Sequence, residues 1–256
     1  MKVYTIWNQK GGVSKTTLAV NMAKFLETEH NMKTLLIDTD IQCNSTINYQ
    51  GEYEGKATLY DVIVASKPID INDAIQHTSI GDIIAGDPLL AEAESKYSSD
   101  IDGVYKLQEA LENLKGYDAV VIDTNPSDNK ILLACLIASD SIIVPVTAEK
   151  FSIQGLTKVN KLIQSVQKRH NPKLKFEGIL ISRVGRLSNI VKIGIETIQE
   201  YGSQNGINVF KTLIKDCVKV GESQALNETL ATYAPFCTTA LNYKSFLKEL
   251  LEGEDE

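Results

Sequence analysis

Short apolar runs recur along the chain, and most are followed by a stretch whose apolar positions fall three and four residues apart. Apolar runs without polar alternation predict strands buried on both faces of a parallel sheet, and the wider spacing predicts helices packed against them. The runs occupy residues 3–7, 34–37, 81–85, 117–122, 141–146, 175–181 and 207–213. The helical stretches are 18–26, 58–65, 88–96, 104–114, 131–138, 153–169, 189–201 and 240–251. Strand and helix alternate throughout, which predicts an α/β fold in one domain, a mostly parallel twisted sheet with helices on both faces. Residues 45–99 carry the least regular pattern, and no catalytic motif falls within them.

Composition changes this picture only in places. A chain of 256 residues with 23% charged residues can bury a proper core. The formal charge of −7 argues against wholesale attraction to nucleic acid, but Lys158–Lys219 holds twelve Lys/Arg against four Asp/Glu, leaving −15 elsewhere. Cys43, Cys135, Cys217 and Cys237 are far apart, form no C-x-x-C pair, and read as reduced cytosolic thiols. The first strand begins at once, without a leader pattern, and no apolar run approaches a membrane span, so a soluble cytoplasmic protein is expected. His77 has no partner at ligand spacing.

The chemistry lies at the ends of the runs. Between the first strand and helix stands Asn8-Gln9-Lys10-Gly11-Gly12-Val13-Ser14-Lys15-Thr16-Thr17. A glycine loop opening a helix turns backbone N–H groups and the positive end of the helix dipole toward one point, where a phosphate is favoured. Lys15 can neutralise outer phosphates, and the Thr16 hydroxyl stands where a magnesium ligand is wanted. Asp38 and Asp40 follow the second run, at the carboxyl end of a strand, where ligand-facing residues of such sheets collect. Asp40 could equally cap the next helix. Asp123 ends another apolar run and suits magnesium, an ion that takes few protein carboxylates.

The spelling K-G-G-x-x-K-T-T resembles the deviant Walker A loop of the ParA/MinD group of P-loop ATPases, and the resemblance covers nearly the whole chain. Asp38, Asp40, Gln42 and Asn44 match the group's D-x-D-P-Q-G-N, whereas Ile41 and Cys43 replace its Pro and Gly; Thr124-Asn125-Pro126-Ser127 resembles D-T-P-P-S. Ser14 stands where the group usually has Gly. The resemblance implies binding of ATP and Mg2+ by residues Lys10, Gly11, Gly12, Val13, Ser14, Lys15, Thr16 and Thr17. Lys10 would reach the partner's phosphates in an ATP-dependent sandwich homodimer, and Asp38 would orient or deprotonate the attacking water. Thr16, Asp38 and Asp123 would hold the metal. Ser182, Arg183, Lys215 and Asp216, at two strand ends, would border the adenine.

With no helix-turn-helix segment before the first strand, the chain looks like the short, Soj-like partition ATPases. These imply non-specific double-stranded DNA binding in the ATP state, release on hydrolysis, stimulation by a ParB-like centromere-binding partner, and nucleoid association. Candidate DNA contacts in the basic half are Arg183, Arg186, Lys192, Lys211 and Lys219. The plainer reading of each is a solvated surface cation. A MinD-like membrane-associated ATPase is disfavoured by the acidic tail at 252–256. A nucleotide-gated regulator with little hydrolysis stays open because of Ser14, Ile41 and Cys43.

Overall fold

The structure is a computed structural model that describes residues 1–149, 152–186 and 188–253, less the side chains of residues 98, 99 and 101. Seven strands form one sheet: β1 (Lys2–Ile6), β2 (Thr34–Asp38), β3 (Ile75–His77), β4 (Asp82–Ile84), β5 (Ala119–Asp123), β6 (Ser141–Val146) and β7 (Lys175–Ile181). Their order is β3-β4-β2-β5-β1-β6-β7, all parallel except the β3 edge, which runs antiparallel to β4. The helices are α1 (Lys15–His30), α2 (Asn44–Asn48), α3 (Leu59–Ile63), α4 (Ala93–Ser99), α5 (Lys106–Glu112), α6 (Lys130–Ala138), α7 (Ile153–Arg169), α8 (Asn189–Asn205), α9 (Val218–Ala225), α10 (Leu230–Tyr233) and α11 (Thr238–Glu252).

Successive strand residues point to opposite faces, so each apolar run feeds two cores at once. Tyr4 and Ile6 of β1 with Leu36 of β2 meet Leu18, Met22 and Phe25 of α1 and Tyr243 and Phe246 of α11. Val3, Leu35 and Ile37 face the other way, onto Leu59 and Ile63 of α3 and Leu107 of α5. A third cluster joins β6 and β7 to α7 and α8 through Val144, Ile181, Ile163 and Ile198. Complete burial of β2 and β5 on both faces is the reason their sequences show no alternation. Because β5 lies between β2 and β1 and runs parallel to both, the carboxyl ends of β1, β2 and β5 stand side by side, at a topological switch point where ligands bind in such sheets.

The expected strand at 207–213 is not one. The segment lies along β7 through bonds such as Phe210 N–H to Ile179 O and Ile214 N–H to Ile181 O, but forms only isolated bridges. Between them the N–H groups of Lys211 and Thr212 turn away to the Glu249 carboxylate of α11, at 2.6 and 3.0 Å. A charged acceptor forms stronger bonds than a sheet carbonyl, and it interrupts the ladder. Of the acidic tail, Glu252 ends α11, and residues 254–256 lie outside the described residues, as does Phe151.

Candidate nucleotide and magnesium site

The loop from β1 to α1 is pinned from one side. Asn8 Nδ2 donates to Pro145 O at 2.8 Å, and Asn8 Oδ1 accepts the Lys10 N–H at 3.0 Å. Gly12 has a φ of 73° in open space, so its conformation, and not room, calls for glycine. Ser14, the N-cap of α1, is also left-handed at φ 71° and makes no side-chain cap bond, which leaves the first N–H groups of the helix without a side-chain cap. Lys15 is buried; desolvation pulls its pKa down, opposed by the nearby charges of Asp123 and Asp40. Its Nζ donates to Lys10 O at 3.3 Å, whereas Lys10 itself is exposed.

Asp38 and Asp123 face each other as register partners on β2 and β5, both fully buried. Asp38 is held: Oδ2 accepts the Thr46 N–H at 2.8 Å and the Thr46 hydroxyl at 2.7 Å, and Oδ1 accepts the Asp40 N–H at 3.0 Å. The Thr46 oxygen in turn accepts the Gly86 N–H at 2.9 Å. Burial raises the Asp38 pKa and these bonds oppose the rise. Asp123 is different, because neither carboxylate oxygen has a hydrogen-bond partner. Burial, and then the Asp38 charge, push it up to about 8; the hydroxyls of Thr16 and Ser45 lie near enough to favour its charged form without completing a bond.

Two orphaned buried carboxylate oxygens cost free energy unless a cation or donor meets them. The hard oxygen set of Thr16, Asp38 and Asp123 fits magnesium, which completes its shell with waters and phosphate oxygens. Among the described residues no group of three His, Cys, Asp or Glu side chains is placed to hold a metal ion. Asp40 does not cap α2, whose N-cap is Cys43; its Oδ1 accepts the Gln42 N–H at 3.0 Å in a local turn.

A cavity of about 270 Å³ brings together Ser14, Thr17, Arg183, Lys215, Asp216 and Gln224, so three of the four expected adenine neighbours share one wall with the loop. The fourth, Ser182, is buried behind it, donating its N–H to Val146 O. Arg183 lines the cavity, with Nη1 bonded to Gly12 O at 3.3 Å and Nη2 3.9 Å from Asp216 Oδ2. Thr46, Gly86 and Gln224, which bonds Thr17 Oγ1 at 3.0 Å, were not legible: their only signal is a contact made by folding. A second cavity of about 340 Å³ lies beside Lys10, between the loop and Ser152–Lys158. Of the basic candidates, Lys219 pairs with Glu222 at 2.7 Å, while Arg186, Lys192 and Lys211 are exposed.

A loop of this form at the switch point of a parallel sheet defines a P-loop nucleotide-binding protein. The family model described as AAA domain (AAA_31) matches residues 1–176. The chain is 32% identical over 253 residues to the sporulation initiation inhibitor protein Soj of Bacillus subtilis, covering 97% of this chain and 98% of that one. It is 29% identical over 259 residues to the chromosome partitioning protein ParA of Caulobacter vibrioides, covering 99% and 95%. Among solved structures, cobyrinic acid a,c-diamide synthase from Mycobacterium smegmatis with bound ATP analogue and magnesium superposes with a TM-score of 0.86 at 25% identity, covering 99% and 95%. The chain belongs to the ParA/MinD-type partition ATPases of this AAA family. It is a partition or positioning ATPase by kinship; a synthase on the same fold is a reminder that fold alone does not choose the reaction. Among the described residues no helix is long and apolar enough to cross a membrane.

Proposed function

We propose that the protein is a magnesium-dependent ATPase that segregates DNA, binding non-specific duplex DNA as an ATP-bound homodimer and leaving it on hydrolysis. The observation that carries this reading is the pairing of a held carboxylate, Asp38, with an unsatisfied one, Asp123, beside the buried Lys15. Lys15 and the N–H groups of the loop take the phosphates, and the exposed Lys10 reaches the partner's nucleotide. Asp38, fixed by Thr46, orients the attacking water and accepts its proton late, since phosphoryl transfer asks chiefly for positioning and neutralised charge. Thr16, Asp38 and Asp123 hold magnesium, which offsets the negative charge spreading over the transferred phosphoryl group. Arg183, Lys215 and Asp216 border the base, with Ser182 behind them.

In this reading Arg183, Arg186, Lys192, Lys211 and Lys219 supply the DNA-facing charge, a ParB-like DNA-bound partner accelerates turnover, and the cytoplasmic protein gathers on the nucleoid in its ATP state. Ser14 and Cys43 take left-handed conformations at φ 71° and 52°, and slow intrinsic turnover is part of this reading. The test is binding to random-sequence duplex DNA with ATP, ADP or no nucleotide at two salt concentrations, for the protein and Asp38→Ala. ATP-dependent binding that weakens with salt and persists in the variant is expected. Absence of binding in every state removes the DNA half of the proposal.

A further inference from the structure

Nothing in the spacing of the four cysteines joins any two, but the fold does. Cys217 is the N-cap of α9 and Cys237 the N-cap of α11. The segments that carry them are tied together: the Lys215 N–H donates to Asn242 Oδ1 at 3.1 Å, and Thr239 Oγ1 donates to Lys215 O at 2.7 Å. Each cysteine thus lies two residues from the same tie, which sets the two N-caps side by side. Both are partly exposed, whereas Cys43 and Cys135 are buried, with burial pushing each up to about 12.

A thiol at a helix N-terminus gains thiolate character from the dipole, and Cys237 Sγ accepts the Ala240 N–H at 3.5 Å. Burial still raises the Cys237 pKa, this bond opposes it, and the Cys217 thiol adds to the rise.

We propose that Cys217 and Cys237 are an oxidation site, converted by hydrogen peroxide to a disulfide that staples α9 to α11. One thiolate attacks a peroxide oxygen; the O–O bond breaks, the sulfur becomes a sulfenic acid, and the leaving hydroxide takes a proton to become water. The second thiol then attacks that sulfur, the S–S bond forms, the S–O bond breaks, and a second water leaves. Two thiols and one peroxide give one disulfide and two waters. A dithiol reductant reverses the bridge by exchange.

The bridge acts on the 270 Å³ cavity, whose wall includes Lys215, Asp216, Val220 and Thr239, within three residues of one cysteine or the other. Drawing the two N-caps together narrows that wall. This consequence, unlike the bridge itself, rests on the reading of the cavity as the base end of the nucleotide site.

The full-length protein is treated with hydrogen peroxide, remaining thiols are blocked with N-ethylmaleimide, and unreduced peptides are mapped by mass spectrometry. A single Cys217–Cys237 bridge is expected, lowering titratable thiols from four to two, absent from Cys217→Ser and from Cys237→Ser and reversed by dithiothreitol. Four remaining thiols, or bridges to Cys43, Cys135 or a second molecule, overturn the site. Affinity for a fluorescent ATP analogue is then compared in both redox forms, with a drop of about tenfold expected on oxidation. Equal affinities overturn the coupling and leave the bridge standing. Lack of binding to the reduced protein instead removes the nucleotide reading, and the coupling with it, while the peptide map still decides the thiol pair.

Discussion

Asp38 and Asp123 are register partners at the carboxyl ends of β2 and β5, and only Asp38 is satisfied by protein groups. The difference prepares one carboxylate to stay in place and the other to meet a cation. It also gives the nucleotide-free protein a pH dependence.

Burial and the Asp38 charge raise Asp123 to about 8, against an ordinary value of 3.8. Between these values the native state holds a proton that the unfolded chain has released, so raising the pH favours unfolding. Melting of the metal-free, nucleotide-free protein should therefore fall as pH climbs through this window. Asp123→Asn removes the ionisation, so the variant should melt higher than the parent at pH 8, with the gap closing toward pH 4. Calorimetry across pH checks this; a constant gap would show that Asp123 is not perturbed.

Ser14 sits at φ 71°, a left-handed conformation that costs a residue with a Cβ roughly 1 kcal/mol. Ser14→Gly relieves the strain at some cost in chain entropy and should stabilise the protein by up to about 1 kcal/mol. Gly12→Ala, at φ 73° with open space around it, should destabilise by a similar amount. Denaturant melts of both variants give the signs, and a loss of stability in Ser14→Gly refutes the strain.

Gly194 on α8 packs directly on the backbone of Ala148, where a Cβ would meet the carbonyl oxygen of the loop after β6. Gly194→Ala must push the helix off that loop, at a cost of about 1–3 kcal/mol. The loop also carries Thr147, beside the cavity near Lys10. A shift in the denaturation midpoint measures the effect; a neutral substitution would mean that helix and loop separate freely.

Glu249→Ala leaves the N–H groups of Lys211 and Thr212 without their carboxylate. A loss of about 1–3 kcal/mol is expected, with faster amide exchange at both positions. Unchanged protection there would mean that another acceptor, not Glu249, interrupts the ladder.

The central strands, the phosphate loop and the two strand-end carboxylates were legible because each is local. A strand buried on both faces must be a continuous apolar run, and a loop that cradles phosphate must place its lysines and threonines at fixed spacing. Ser14 and Cys43 marked themselves as substitutions for glycine, and both are left-handed in the structure. Hidden features depend on residues far apart in the chain. The 207–213 segment has a strand's composition, and Glu249, some forty residues later, diverts it. The β3 edge is three residues long, too short for a pattern to register. Thr46 reaches Asp38 from α2 and Gly86 braces Thr46 from the loop after β4, and Cys217 comes beside Cys237 only through the tie between Lys215 and Thr239.

Phosphate release from ATP, with and without magnesium, by the protein and by its Lys15→Ala and Asp38→Ala variants tests the ATPase site most directly. Slow, magnesium-dependent turnover is expected in the parent. Lys15→Ala should lose nucleotide binding, whereas Asp38→Ala should keep binding and lose turnover. Undiminished turnover in Asp38→Ala, or full nucleotide affinity in Lys15→Ala, would contradict the assignment of these residues.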